Sequence, residues 1–286
     1  LIKHYPDRIR GQSLQGNKAH SATSFCENGF PQPLSTLNRA KDFGISCMIG
    51  KLWSKLDDAE RRLRRSFGMD IESKSGRRWA KLHYHVFDHA FLRSFWTNFD
   101  EIGPGVYRSN QPTTGRFETY AEMGVKTIIN LRGEDKYSYY LFEKETCDRL
   151  GMKLIDIKMW ARMATKKARI LEAIEAIRTS EKPLIFHCKS GADRTGLMGA
   201  VYKLVFEDAT VDEARKQLGL RYIHLKQTAT GIQDYILDVY EARLNLEQIS
   251  FEDWIRHEYV GKQLQKGFDE KIKPAQLAKQ LMTDAA

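Results

Sequence analysis

The 286-residue chain has no run of about 18 apolar residues, which excludes an ordinary transmembrane helix. Its four cysteines, Cys26, Cys47, Cys147 and Cys188, are too few and too scattered for a disulfide scaffold. None belongs to a Cys-x-x-Cys pair, which argues against a zinc ribbon or a thioredoxin-type centre. Internal repeats and low-complexity tracts are absent, and no stretch matches a nucleic-acid-binding module. The first residue is Leu1 rather than Met, so we expect the true N-terminus to lie outside this sequence; no signal peptide is visible in it.

The chain does have enough apolar sequence for a core, being 42% hydrophobic and 29% charged. Its formal charge is +9, from 46 Lys+Arg against 37 Asp+Glu. The excess is uneven: residues 1–100 hold 17 Lys/Arg against 10 Asp/Glu. A basic N-terminal third suits an anionic partner, and it equally suits a solvated basic face. These features lead us to expect a cytoplasmic protein with a peripheral contact to anionic membrane through its basic N-terminal helices, and no nucleic-acid partner.

Residues 1–50 show no sustained period and read as a flexible leader. Residues 53–66 and 77–98 read as helices. In the second, Trp79, Leu82, Val86 and Ala90 form one apolar stripe and Tyr84, Phe87, Phe91 and Phe95 another, which predicts a wide buried face. Short β-branched runs bounded by glycine or proline follow at 105–109, 125–131, 153–159 and 183–187. Helical patterns at 115–123, 138–150 and 166–178 separate them. Everything after 195 reads helical, and Thr210 with Glu213 forms a capping box. Alternating strands and helices predict an α/β fold: a four- or five-stranded, mostly parallel sheet with helices on both sides and an N-terminal helical extension.

One stretch carries chemistry: His187-Cys188-Lys189-Ser190-Gly191-Ala192-Asp193-Arg194-Thr195-Gly196. Cys188 lies just past a buried strand, and Arg194-Thr195-Gly196 opens an apolar helix. A loop between strand and helix N-terminus can turn its backbone N–H groups inward as an anion nest, and the helix adds unsatisfied donors and positive dipole. Residues 189–194 would cradle a phosphate there, and the same field would favour a Cys188 thiolate. Arg194 offers a planar fork for two phosphate oxygens.

The stretch resembles the H-C-x5-R-[S/T]-G signature of the cysteine-dependent protein-tyrosine and dual-specificity phosphatases. Gly105 to Pro112 and residues 125–134 (VKTIINLRGE) are similar to bacterial and plant/fungal atypical members of that group. The resemblance spans roughly residues 100–235. It implies a phosphatase domain over 99–245, after the leader (1–50) and a basic helical extension (51–98), with a C-terminal helical tail at 246–286. It further implies Cys188 as nucleophile, Arg194 as phosphate clamp, His187 tuning the thiolate, and Thr195 assisting release of the thiolate in the second step. No cofactor and no metal are implied.

The general acid is open between two residues. The family places an Asp about 30 residues before the cysteine, and Asp156 stands 32 residues before Cys188. It lies inside a strand pattern, however, and the loop after it (Trp160 to Ala164) has no acid. Asp193 is the other candidate; a carboxyl repelled by bound phosphate can hold a proton there. Against these roles, Asp156 reads as a strand-end acid paired with Arg132 or Arg162, and Asp193 as a helix N-terminal charge.

Lesser signals remain. His83, His85 and His89 with Asp88 read either as metal ligands or as satisfied half-buried histidines. Arg61 to Arg65 with Arg77 and Arg78 read as an anion-binding or a solvated face. Lys189 reads either as a solvent-exposed lysine or as a loop cation that resembles the lipid-phosphatase version of the motif and favours a substrate with more than one phosphate. Gln227 or Asp234 falls where relatives orient the attacking water, and Cys147 is the intradomain candidate for a resolving cysteine. The expected function is metal-independent phosphomonoester hydrolysis through a phosphocysteine, on a phosphorylated protein, phospholipid or inositol phosphate. A catalytically weak phosphate-binding scaffold is the alternative, and a membrane-docking protein dominated by its N-terminal helices is a third reading.

Overall fold

A computed structural model describes residues 66–285. The expected leader and the helix at 53–66, apart from Ser66, lie outside the described residues.

Five strands form one sheet in the order β1-β2-β5-β3-β4. β2 (Val106–Asn110), β3 (Thr127–Asn130), β4 (Lys153–Asp156) and β5 (Leu184–Cys188) pair in parallel. β1 (Asp100–Gly103) adds an antiparallel edge to β2. Sequence reading missed β1, because four residues, DEIG, are too short and too charged to show alternation. The other four strands fall where their β-branched runs predict.

Parallel strands need helical crossovers, and these cover both faces. On one face α2 (Thr114–Glu122) and α3 (Ser138–Leu150) bury Phe117, Tyr120 and Cys147 against Ile128 and Ile185. On the other, α4 (Lys167–Thr179) and α5 (Asp193–Phe206) pack on Ile129, Leu184, Phe186 and Cys188. The period-2 alternation of β5 separates these sets, Ile185 facing one way and Phe186 and Cys188 the other. Each such fully buried side chain contributes about 1.5–3 kcal/mol relative to exposure.

Local signals set the helix ends. Gly151 takes φ 67° as the left-handed cap of α3. Thr210 and Glu213 form the expected reciprocal capping box on α6 (Val211–Arg215). α7 (Ile232–Leu244), α8 (Phe251–His257), α9 (Gly261–Asp269) and α10 (Pro274–Ala285) complete the chain. The helices after residue 245, read from sequence as a tail, contribute Phe251, Trp254, Leu264 and Leu281 to the same core as Phe186.

The segment before the sheet departs from expectation. Instead of one helix over 77–98, α1 (Lys74–Leu82) runs into a π-helical turn, His83–Phe87, and stops at Asp88. His89 has φ 57°, and a 3-10 turn follows at Leu92–Ser94. Asp88 turns inward to Arg93 and Arg132 instead of continuing the helix. The two predicted buried stripes are corrected accordingly. Ala80, Tyr84 and Ala90 pack with Phe142 of α3, whereas Trp79, Leu82, Val86, Phe91 and Phe95 are exposed. Among the described residues, no helix is long and apolar enough to cross a membrane.

Candidate active site

Cys188 ends β5, and α5 starts five residues later at Asp193. Lys189 to Ala192 make the turn between them. Gly191 has φ +74°, and a Cβ there would lie 2.7 Å from the Asn110 amide nitrogen, so the turn requires glycine. The loop is tied from outside. Arg108 of β2, fully buried, donates through Nη2 to the Gly191 carbonyl at 2.6 Å and through Nη1 to the Gln217 carbonyl at 2.9 Å. Its guanidinium stacks 3.4 Å from the centre of the Tyr222 ring. Asn98 Nδ2 donates to the Ser190 carbonyl at 2.8 Å, and the Gln111 amide to the Lys189 carbonyl at 3.3 Å. These ties fix the loop peptides by their carbonyls and make a rigid turn of the kind that forms anion nests; within it the Ala192 amide donates to Ser190 Oγ at 3.4 Å.

The Cys188 thiol is buried, which by itself would keep it protonated. Arg194, then the Thr195 hydroxyl and amide, outweigh that cost and hold it below the ordinary thiol value. Among the described residues, the buried Arg194 Nε has no hydrogen-bond partner, which leaves it free for an oxyanion. His187 Nε2 sits 2.5 Å from Glu143 Oε1, while its Nδ1 lies 3.4 Å from the Cys188 carbonyl.

A buried polar chain runs on from His187. Glu143 Oε2 accepts from Gln111 Nε2 at 2.8 Å, and Gln111 Oε1 accepts from Arg132. Arg132 Nη2 reaches Asp88 Oδ1 at 3.0 Å, Arg93 Nη1 reaches Asp88 Oδ2 at 2.6 Å, and Lys189 Nζ lies 3.4 Å from Asp88. Burial opposes the charge on Asp88, but these cations prevail and hold its carboxyl far below the usual range. Asp88, Arg132 and Lys189 line a cavity of about 290 Å³ with His83, Phe87, Tyr137 and Tyr139. Lys189, read as a phosphate-side cation, therefore also belongs to this aromatic-walled pocket.

The two acid candidates occupy different settings. Asp156, at the end of β4, accepts from Asn130 Nδ2 and from the Tyr140 hydroxyl, each at 2.8 Å. It pairs with neither Arg132 nor Arg162; Arg132 is engaged by Asp88. Asp193 opens α5 beside Cys188, with Oδ1 2.8 Å from His224 Nδ1. His224 Nε2 in turn lies 2.7 Å from Asp234 Oδ2. Asp234 thus reaches the site through His224, and Gln227 only borders the cleft beside them.

The resolving-cysteine expectation is corrected, while His83 follows its satisfied-histidine reading. Cys147 sits on the opposite face of the sheet from Cys188, and burial pushes its thiol up, so it is no resolving partner. His83 bonds Ser138 Oγ at 2.8 Å through Nδ1 and stacks on Tyr137. Sequence reasoning missed roles for Asp88, Arg108, Gln111, Glu143 and His224. Arg108 carried a usable signal, being a cation inside a run that reads as a strand.

Part of the chain is similar to known phosphatases. A family model described as DSP-PTPase phosphatase fused to NAD+ kinase matches residues 99–233. Dual specificity protein phosphatase TpbA of Pseudomonas aeruginosa PAO1 is 25% identical over 114 residues, covering 38% of this chain and 48% of that protein. TpbA of strain UCBPP-PA14 is 23% identical over 112 residues, with the same shares. The chain thus spans about half the length of the curated relatives it matches. The crystal structure of P. aeruginosa TpbA superposes with a TM-score of 0.43 at 20% identity, over 53% of this chain and 92% of that one. The core catalytic domain of the PP-IP phosphatase SIW14 from S. cerevisiae, in complex with citrate, gives 0.42 at 21% identity, over 52% and 91%. The family match, together with the likeness to TpbA, places residues 99–233 in the cysteine-dependent protein-tyrosine and dual-specificity phosphatase superfamily.

Proposed function

We propose that the chain is a metal-independent phosphomonoester phosphatase working through a phosphocysteine. The observation that carries this reading is the Cys188 thiol, held low by Arg194 and Thr195 at the mouth of a helix N-terminus. The Cys188 thiolate attacks phosphorus, and the P–O bond to the leaving group breaks as Asp193 protonates the departing oxygen. Water then attacks phosphorus, the S–P bond breaks, the thiolate returns with help from Thr195, and Asp193 takes the proton from water. The loop amides and Arg194 stabilise the equatorial oxygens throughout, which is where most of the rate enhancement arises.

Purified protein should hydrolyse para-nitrophenyl phosphate at a rate unchanged by EDTA. Binding without steady turnover would favour the scaffold reading. The relatives include a dual-specificity protein phosphatase and a PP-IP phosphatase. A phosphate-release panel of phosphotyrosine and phosphoserine peptides, phosphoinositides and inositol phosphates therefore assigns the substrate class. Lys189 and Arg132, beside aromatic walls, favour a ring-bearing substrate or one with a second anionic group.

We also infer that the extension meets an anionic lipid surface. Trp79 is 59% and Phe95 83% exposed, with Leu82, Val86 and Phe91 also exposed. Lys74, Arg78 and Lys81 flank the apolar edge of α1 and are exposed as well. Exposed apolar and basic side chains of this kind suit the headgroup boundary. The whole protein should sediment with phosphatidylglycerol vesicles and be released by salt, and replacing both Trp79 and Phe95 by Ser should weaken binding about tenfold or more. Equal sedimentation with neutral vesicles would overturn this contact.

A further inference from the structure

His224 is buried between two carboxylates from two different helices. Its Nδ1 lies 2.8 Å from Asp193 Oδ1 on α5, and its Nε2 lies 2.7 Å from Asp234 Oδ2 on α7. Its side chain is only 1% exposed. With both carboxyl groups ionised they only accept, so both ring nitrogens donate and the ring carries two protons. An arrangement that merely held α5 against α7 would need one hydrogen bond, and a neutral amide would serve. Here a charged ring is kept within proton-transfer distance of a carboxyl that borders the reacting sulfur.

We propose that His224 is a positioning residue that fixes Asp193 on the phosphate-binding loop and recharges it with the proton given to the leaving group. This rests on the phosphocysteine reading. During the first half-reaction the Nδ1 proton passes to Asp193, and the Asp193 carboxyl delivers it to the leaving oxygen as the P–O bond breaks. His224 is left neutral and still donates Nε2–H to Asp234. In the second half-reaction the attacking water releases one proton to Asp193, which returns it to Nδ1, while its hydroxide becomes part of inorganic phosphate. The cycle closes with no proton gained or lost by the enzyme. Asp234, 3% exposed, is the fixed counter-charge that holds the ring in this tautomer.

The balance of charge around the ring supports this role. Burial works against the charged ring, but Asp193 and Asp234 overcome it and raise His224 to about 9. Beyond these two, the bordering cleft presents Asp212, Arg215, Lys216 and Lys226. Arg215 is paired with Asp238 and Glu241 and Lys226 with Asp238, so among the described residues none of these cations forms an ion pair with Asp193 or Asp234. Because the folded value is raised, His224 favours folding below the ordinary histidine range, near pH ~6.5. That contribution fades as pH climbs toward about 9.

The test compares wild type and His224→Gln on an aryl phosphate and an alkyl phosphate across pH. Glutamine keeps a hydrogen bond but carries no titrating proton. The alkyl phosphate kcat should fall about 10–100-fold more than the aryl phosphate kcat, and the basic limb of its pH profile should vanish. Equal losses on both substrates with an unchanged basic limb would reduce His224 to a structural tie and overturn the proposal. An NMR titration of His224 in the wild-type protein decides the matter even where the variant does not fold. Its midpoint must match the basic limb for the alkyl phosphate, and a neutral ring at pH 7 would equally overturn the proposal. A wild-type protein inert toward both substrates defeats the phosphatase reading itself, and this inference with it. Turnover without the leaving-group split defeats the inference alone.

Discussion

Cys188→Ser should reduce hydrolysis of any phosphomonoester to background, a loss of roughly 10⁴-fold or more, as removal of a covalent nucleophile does. The expectation follows from what Arg194 and Thr195 do in this structure. Together they hold the Cys188 thiol below its ordinary value in spite of full burial. The same field cannot bring a serine hydroxyl, which starts many units higher, to the alkoxide. The anion nest should survive, because its ties run through main-chain carbonyls: Arg108 to Gly191, Asn98 to Ser190, and the Gln111 amide to Lys189. The variant should therefore still bind phosphate or vanadate with near wild-type affinity, measured by calorimetry. Hydrolysis that persists in Cys188→Ser would sink the nucleophile assignment.

The pattern of what was legible has a physical basis. β3 announces itself most clearly, because its TIIN run is buried throughout and rich in β-branched residues; β2 and β5 show as short runs that follow Gly105 and Pro183. The signature loop is legible because its parts are contiguous: a strand end, a turn needing glycine, and a helix N-terminus. What escaped depends on contacts between distant segments. His224 lies 31 residues from Asp193 and 10 from Asp234, and nothing local to it distinguishes it from a surface histidine. Asp88 is likewise ordinary in sequence, on what reads as an amphipathic helix, until Arg93, Arg132 and Lys189 gather around it. The apolar stripes of 77–98 misled for a related reason. Hydrophobic periodicity reports that a face exists but not that protein covers it, and here Trp79 and Phe95 remain exposed while the polar Asp88 and Arg93 go inside.

Asp193→Asn should slow an alkyl phosphate by about 10²–10⁴-fold while leaving an aryl phosphate within a fewfold of wild type. An aryl oxide is stable enough to depart as an anion, so it hardly needs the proton; an alkoxide does. Asp156→Asn should show no such split. The placement of the two carboxylates gives the reason. Asp156 has one oxygen on Asn130 and the other on the Tyr140 hydroxyl, ties that bind β4 to β3 and to α3. Removing its charge leaves these donors a weaker acceptor, which should lower stability by about 1–3 kcal/mol and touch both substrates alike. Asp193 opens the helix that carries Arg194, is near enough to Cys188 to act on its charge, and has His224 behind Oδ1. The result that decides against Asp193 is an equal loss on both substrates, which would make it a shaper of the loop. A leaving-group split appearing in Asp156→Asn instead would move the acid to the end of β4, and would require the β4 end to shift so that the carboxyl breaks from Tyr140 to meet the leaving oxygen.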